Sequence, residues 1–232
     1  MAAGATDGGQ CLIATTNAGK VRELRALLAE LPLALLSPTE LGLNLAVEET
    51  GNTFVENSRI KAQTYFQAAG LPTIAEDSGL EIDALNGEPG VLSARYHGLP
   101  DGPIKNAHIL DLLASVPPSR RSCRYICAIV YLDMTGAEHV FEGECRGHIA
   151  GAPGGEGGFG FDPIVLLPRL GRTMAQLSDE EKNRISHRGR AARKLVRYLM
   201  ATDRARGPRS GAAGRNRSQN ILARPRVSRR DP

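Results

Sequence analysis

The 232-residue chain has no tryptophan and only ten Phe and Tyr, so two Phe placed close together in one loop stand out. Its four cysteines, Cys11, Cys123, Cys127 and Cys145, form no CxxC pair and show no zinc-type spacing, which argues against a zinc module. Cys123 and Cys127 lie an even number apart in a strand-like segment and share a face, the pattern of reduced thiols in or near a core. The first residues, Met1–Gly9, lack both a basic n-region and a long apolar stretch, against a signal peptide. No apolar run reaches transmembrane length. These absences fit a cytoplasmic protein with no membrane partner. One further absence is local: between Ala62 and Ala94 there is no Lys or Arg.

That cation-free run holds Glu76, Asp77, Glu81, Asp83 and Glu88. Carboxylates with no nearby cation repel one another unless something neutralises them. A hard divalent cation does so, taking one or two carboxylates plus phosphate oxygens and water; a solvated strand edge is the plainer alternative. Charge is also segregated along the chain. Residues 203–232 carry nine Arg and two Asp, or +7, which leaves −3 of the total +4 for residues 1–202.

Hydrophobic periodicity predicts an α/β domain with a mixed sheet. Cys11–Thr15 reads as a buried strand feeding a loop. The helix after it has Val21, Leu24, Leu27, Leu28 and Leu31 on one side, Arg22, Glu23 and Arg25 between them, and Pro32 at its end. Leu33–Leu36 is a second strand. A helix capped at Asn52 or Thr53 closes at Gly70. Thr73–Ala75 begins a strand broken at Ser78-Gly79, after which Leu80, Ile82 and Ala84 alternate with Glu81 and Asp83 as a half-buried strand with a solvated acidic face. A helix near Ile104–Ala114 follows, then a hairpin of Cys123–Leu132 and His139–His148 around Met134–Gly136. A Gly-rich loop precedes a strand at Pro163–Leu167, and a capping box at Ser178–Glu181 opens one long helix toward Met200. The organisation predicted is a flexible N-terminus (1–10), one domain (11–202) and a basic disordered tail (203–232).

Three segments carry chemistry beside the acid run. Thr15-Thr16-Asn17-Ala18-Gly19-Lys20 lies between a strand and a helix, where backbone N–H groups and the dipole favour an anion and Lys20 adds a point charge. It is not a Walker A loop, because Val21 stands where Ser or Thr binds Mg²⁺. The loop Gly154–Pro163 matches GxGxxG at Gly155, Gly157 and Gly160, yet a strand follows where a dinucleotide site needs a helix. What remains is close backbone approach along a loop with five Gly in seven residues, faces on Phe159 and Phe161 for a base, and Asp162 to orient base or sugar. In Glu181–Gly189, Lys182, His187 and Arg188 are donors on successive helical turns, suited to phosphate or to the oxygen-bearing edge of a base. Glu48 and Glu49 add carboxylates ahead of a helix. An acid cluster, a Lys-bearing loop, a Gly/Phe loop and a Lys/His/Arg helix are the parts that a Mg²⁺–nucleoside triphosphate needs.

With these segments the chain resembles the ITP/XTP pyrophosphatases, hydrolases of deaminated purine nucleotides. The matching stretches are Ala14–Lys20, Glu48–Asn57, Ala75–Leu80, Pro89–Tyr96, Gly157–Pro163 and Ser186–Gly189, in family order across roughly residues 11–201. Thr16 and Glu76 depart from the residues many members carry there. The resemblance implies a long mixed sheet, a cleft between two lobes, a homodimer, and Mg²⁺-dependent cleavage between the α- and β-phosphates. By position it makes Asp77 the proton acceptor and a metal ligand, with Glu48 a second ligand, and leaves open whether Glu48, Glu49 or Glu76 completes the metal site. Thr15–Lys20 then hold the triphosphate, while Ser78, Phe159, Gly160, Phe161, Asp162, Lys182, His187 and Arg188 bind substrate. Two rivals are a Maf-like pyrophosphatase of other modified nucleotides and a non-catalytic nucleic-acid module leaning on the Arg-rich tail. The net −3 of the body argues against the second.

Overall fold

A computed structural model describes residues 9–206; the remainder of the expected N-terminal arm and of the basic tail lies outside the described residues. Short apolar runs bounded by turn formers become strands, and seven of them form one sheet. β1 (Gln10–Ile13) pairs in parallel with β2 (Ala34–Leu36) on one side and β3 (Thr73–Ile82) on the other. β4 (Ser122–Leu132), β5 (Glu138–Ile149), β6 (Val165–Leu167) and β7 (Arg172–Thr173) continue antiparallel from β3, giving the order β2-β1-β3-β4-β5-β6-β7. The sheet is therefore mixed, and β4–β5 is the expected hairpin.

The expected break in β3 is absent. Its register with β4 runs uninterrupted from Thr73↔Leu132 to Ile82↔Cys123. Gly79 serves another purpose: a Cβ there would lie 2.4 Å from Ser93 Oγ and 2.5 Å from the Gly90 carbonyl. Its missing side chain admits the 90–93 turn, and Ser93 Oγ accepts from the Leu80 amide at 2.9 Å. Beyond Ile82 the chain enters a 3-10 turn at Asp83–Leu85, so Ala84 is not in a strand. Glu81 is half-buried and paired with Arg124 rather than solvated.

Among the described residues there are five α-helices. α1 (Ala18–Leu27) is capped by Asn17, whose side chain accepts from the Lys20 amide at 3.0 Å. α2 (Phe54–Ala69) starts in a Thr53/Glu56 capping box and ends on Gly70 at φ 62°. α3 (Pro103–Leu112) follows. The long helix expected after Ser178 is two helices, α4 (Asp179–Ile185) and α5 (His187–Arg206). Ser186, at φ −66° and ψ 161°, leaves helical geometry, and its Oγ caps the new helix by accepting from the Gly189 amide at 3.1 Å. Gly189 permits the tight corner, since a Cβ there would lie 1.9 Å from the Asn183 carbonyl. α5 reaches Arg206, four residues past the boundary expected at 202.

Among the described residues the core has three parts: Leu80, Ile109, Tyr125 and Ile164 under α3; Ile13, Leu24, Ile129 and Leu195 between α1, α5 and the sheet; and Leu12, Ala62, Tyr65 and Val130 under α2. All four cysteines are free and buried. No helix among the described residues is long and apolar enough to cross a membrane.

Candidate active site

β1 pairs with β3 only as far as Ile13↔Ile74. Past that point the chain leaves the sheet into α1, and β3 continues with no β1 neighbour. The space outside the carboxyl end of a parallel strand is where open α/β sheets bind ligands, and here Glu76, Asp77 and Ser78 of β3 run past it.

Neighbouring strand residues point to opposite faces, so Glu76 and Asp77 part company. Glu76 is fully buried. Lys20 Nζ lies 2.8 Å from it, Arg188 donates to both its oxygens at 3.1 Å, and the Cys127 thiol donates at 3.0 Å. Burial alone would raise its pKa, but Arg188 and Lys20 hold it well below the carboxylate range. It is a fixed anion that organises cations, with its oxygens already engaged.

Asp77 faces α2. It accepts from Lys61 Nζ at 3.1 Å and from Asn57 Nδ2 at 3.3 Å. Burial raises its proton affinity; Lys61 and Lys20 oppose this, and Glu49 adds to it. Lys61 also binds Glu49 at 2.7 Å, and Arg95 approaches Glu49 at 3.3 Å. Burial would raise Glu49 too, but Lys61, Lys20 and Arg95 bring it below its usual range. Asp77 and Glu49 thus converge on one ammonium. Glu48, expected as the second ligand, is exposed and does not line the cavity; in the extended segment before α2 the neighbouring carboxylate turns inward instead.

On the far wall, buried Glu23 of α1 accepts from Lys182 at 2.7 Å and from Arg188. The sequence places Glu23 on the polar side of its helix; the structure gives it two buried cations. Burial would raise its pKa, but Arg188 and Lys182 lower it. Lys182 also contacts Asp162, which accepts from the Phe159 amide at 2.8 Å and from Tyr125 Oη at 3.2 Å. The Phe159 ring lies 4.7 Å from Lys182 Nζ and 5.4 Å from the Arg188 guanidinium. A Cβ on Gly19 would meet that ring at 2.9 Å, so glycine there lets the ring lie against the α1 loop.

Arg188 has few free donors. Four of its contacts go to Glu76, Glu23 and Ser78, which leaves one of its five N–H groups. His187 differs. Its ring stacks on Tyr125 at 4.6 Å and 11°, and its Nδ1 is buried without a protein partner. Burial, then Arg188, Lys182 and Lys20, push its pKa well below the usual value against the pull of Glu76, so the ring is neutral.

One cavity gathers Asn17, Lys20, Asp77, Ser78, Phe159, Gly160, Phe161, Asp162, Lys182, His187 and Arg188. Thr15, Thr16, Ala18 and Gly19 do not line it. Thr16 and Ala18 are exposed, and Thr15 Oγ1 accepts from the Asn17 amide at 3.2 Å. Among the described residues no three His, Cys, Asp or Glu side chains assemble into a metal cluster.

Residues 11–198 match the model of the Ham1 family. The chain belongs to the Ham1 family. It is 47% identical over 193 residues to the dITP/XTP pyrophosphatase of Yersinia pseudotuberculosis serotype I (strain IP32953), covering 81% of this chain and 96% of that protein. It is 46% identical over 187 residues to the dITP/XTP pyrophosphatase of Geobacillus kaustophilus (strain HTA426), covering 80% and 92%. The solved structure of a HAM1 protein from Coxiella burnetii superposes with a TM-score of 0.75 at 39% identity, covering 83% of this chain and 98% of that one.

In this Ham1 chain the site depends on residues that sequence reading passed over: Glu23, Asn57, Lys61 and Tyr125. Lys61 left a trace, as the last cation before the cation-free run. Arg95, the first one after it, also turns back to Glu49.

Proposed function

We propose that this Ham1 protein hydrolyses nonstandard purine nucleoside triphosphates, ITP, dITP and XTP, to the nucleoside monophosphate and pyrophosphate. One observation carries the reading: a single cavity has carboxylate Asp77 and cations Lys20 and Lys182 in its walls, together with an unpartnered buried nitrogen on His187. The first three suit a polyphosphate; the last suits the edge of a base.

Asp77 accepts a proton from the attacking water, a role that its raised proton affinity serves. Lys20 and Lys182 offset the charge that develops on the departing pyrophosphate. Glu76 and Glu23 hold those cations in place. Asp77 and Glu49, which already converge on one cation, would hold a hard divalent ion, proposed to be magnesium. Such an ion would supply polarisation of the phosphate oxygens. His187, with the proton of its neutral ring on Nδ1 and supported by the remaining Arg188 donor, faces the 6-position of the purine. A 6-oxo group accepts from such donors; the 6-amino group of ATP does not, and a site built for a hydrogen bond rejects the mismatched ligand strongly. The proposal includes residence in the cytoplasm and a homodimer, which sedimentation equilibrium checks.

The test is pyrophosphate release from ITP, XTP, dITP, GTP and ATP with and without Mg²⁺. Preference for ITP and XTP over ATP is expected, and equal rates would sink the reading. Asp77→Asn is expected to lower turnover roughly 10²–10⁴-fold with an unchanged circular dichroism spectrum.

A further inference from the structure

α5 has two faces. Ala191, Ala192, Leu195 and Val196 are buried against the sheet. Arg190, Arg193, Lys194 and Arg197 recur at i, i+3, i+4 and i+7, which places them in one stripe along the other side. The stripe is one wall of a groove whose second wall is the hairpin, through Arg124, Ile126, Glu142, Gly143 and Glu144. Gly143 brings the walls together, because a Cβ there would lie 2.2 Å from the His187 carbonyl and 3.0 Å from Arg190 Cβ.

Five cations thus face two carboxylates in a domain whose net charge is negative. Among the described residues, none of the four stripe cations, Arg190, Arg193, Lys194 and Arg197, forms an ion pair. Arg190 and Arg193 donate to the Ile185, Asn183 and Arg184 carbonyls at the end of α4, and Lys194 donates to the Glu142 carbonyl. These bonds fix Arg190, Arg193 and Lys194 and leave the groove's five cations in excess of its two carboxylates. Arg193 shows the strain: burial, then Arg190 and Arg197, lower its pKa.

We propose that this groove binds the phosphate backbone of a single-stranded nucleic acid, without reading its sequence. The reading is independent of the hydrolytic site. The stripe spans about 10 Å at roughly 1.5 Å per residue, a length that covers about two successive phosphates of a single strand. Among the described residues Ile126 is the one large apolar side chain in the lining and no aromatic ring lines it, so they provide for neither base stacking nor insertion into a lipid surface. Glu142 and Glu144 also disfavour a flat anionic membrane, which would press lipid phosphates onto them, whereas a strand follows the cationic wall. The chain that continues past α5 adds seven more Arg between Arg209 and Arg230, of the same chemistry.

The test is fluorescence anisotropy of the full chain with a labelled single-stranded DNA oligonucleotide of mixed sequence. About two neutralised phosphates give a slope of log affinity on log salt of about −1.4 for a single strand, so the groove alone accounts for a loss of roughly sevenfold between about 50 and 200 mM KCl. The variant Arg190→Glu/Arg197→Glu leaves the Arg193 and Lys194 bonds in place. It is expected to bind at least about tenfold more weakly, with a shallower salt slope and unchanged ITP turnover. Failure of the wild-type chain to bind at low salt overturns the proposal. So does a double variant that binds as well as wild type, or a clear preference for phosphatidylserine vesicles over the oligonucleotide.

Discussion

Glu48 and Glu49 are adjacent and chemically identical, and only one of them faces the site. Glu49 shares Lys61 with Asp77, while Glu48 is exposed. Glu49→Gln is expected to raise the Mg²⁺ concentration for half-maximal ITP turnover by roughly 10–100-fold, the usual range for a partner of a metal site, and Glu48→Gln to leave it within about twofold. A Mg²⁺ titration of both variants decides between them; the reverse ranking would return the second ligand to Glu48. The residue types at the site were legible in the sequence, since Lys20, Asp77, Lys182 and His187 all line the cavity. Which of two neighbouring acids turned inward was not, because the extended segment before α2 carries no periodicity to set its facing. Glu23 and Lys61 were hidden for another reason: a buried ion pair is written with the same letters as two solvated charges.

At the scale of elements, strands and helices were legible from apolar periodicity and caps, and the joints were not. Ser186 reads equally as a helix interior residue or as a cap, and Gly79 equally as a break or as a seat for a neighbouring turn; only the packed partners, Gly189 and Ser93, decide. Gly143 is such a joint. Gly143→Ala places a methyl where the His187 carbonyl and Ala191 amide now lie at 2.2 and 2.7 Å, so α5 must move off β5. Overpacking of this kind costs about 1–3 kcal/mol. Urea denaturation is expected to show that loss. Because His187 and Arg188 open the displaced helix, KM for ITP is expected to rise with it. A stable variant with unchanged KM would mean that α5 absorbs the methyl without shifting.

Taken whole, the molecule concentrates its buried charge in one region, and this sets how it responds to acid. His187 has its pKa pushed well below 6.5, so it folds neutral; as pH falls below that value the unfolded chain takes up a proton that the folded one refuses, and stability falls. Glu23, with its pKa lowered from 4.5, keeps its contribution above that value and loses it as pH drops through the lower folded value. Two stages of acid destabilisation follow, the first beginning near neutrality at about 1.4 kcal/mol per pH unit. Denaturant midpoints measured between pH 8 and pH 4 are expected to show this, and His187→Gln to abolish the first stage; a flat profile from pH 7 to 5 would contradict it. The four buried cysteines carry a different consequence. Burial pushes Cys11 and Cys123 up to about 12 and raises Cys127 and Cys145 as well. The thiolate is the form that attacks electrophiles and is oxidised, so at neutral pH the described fold offers almost none of it, and the enzyme needs no reducing agent to keep its sulfur chemically silent.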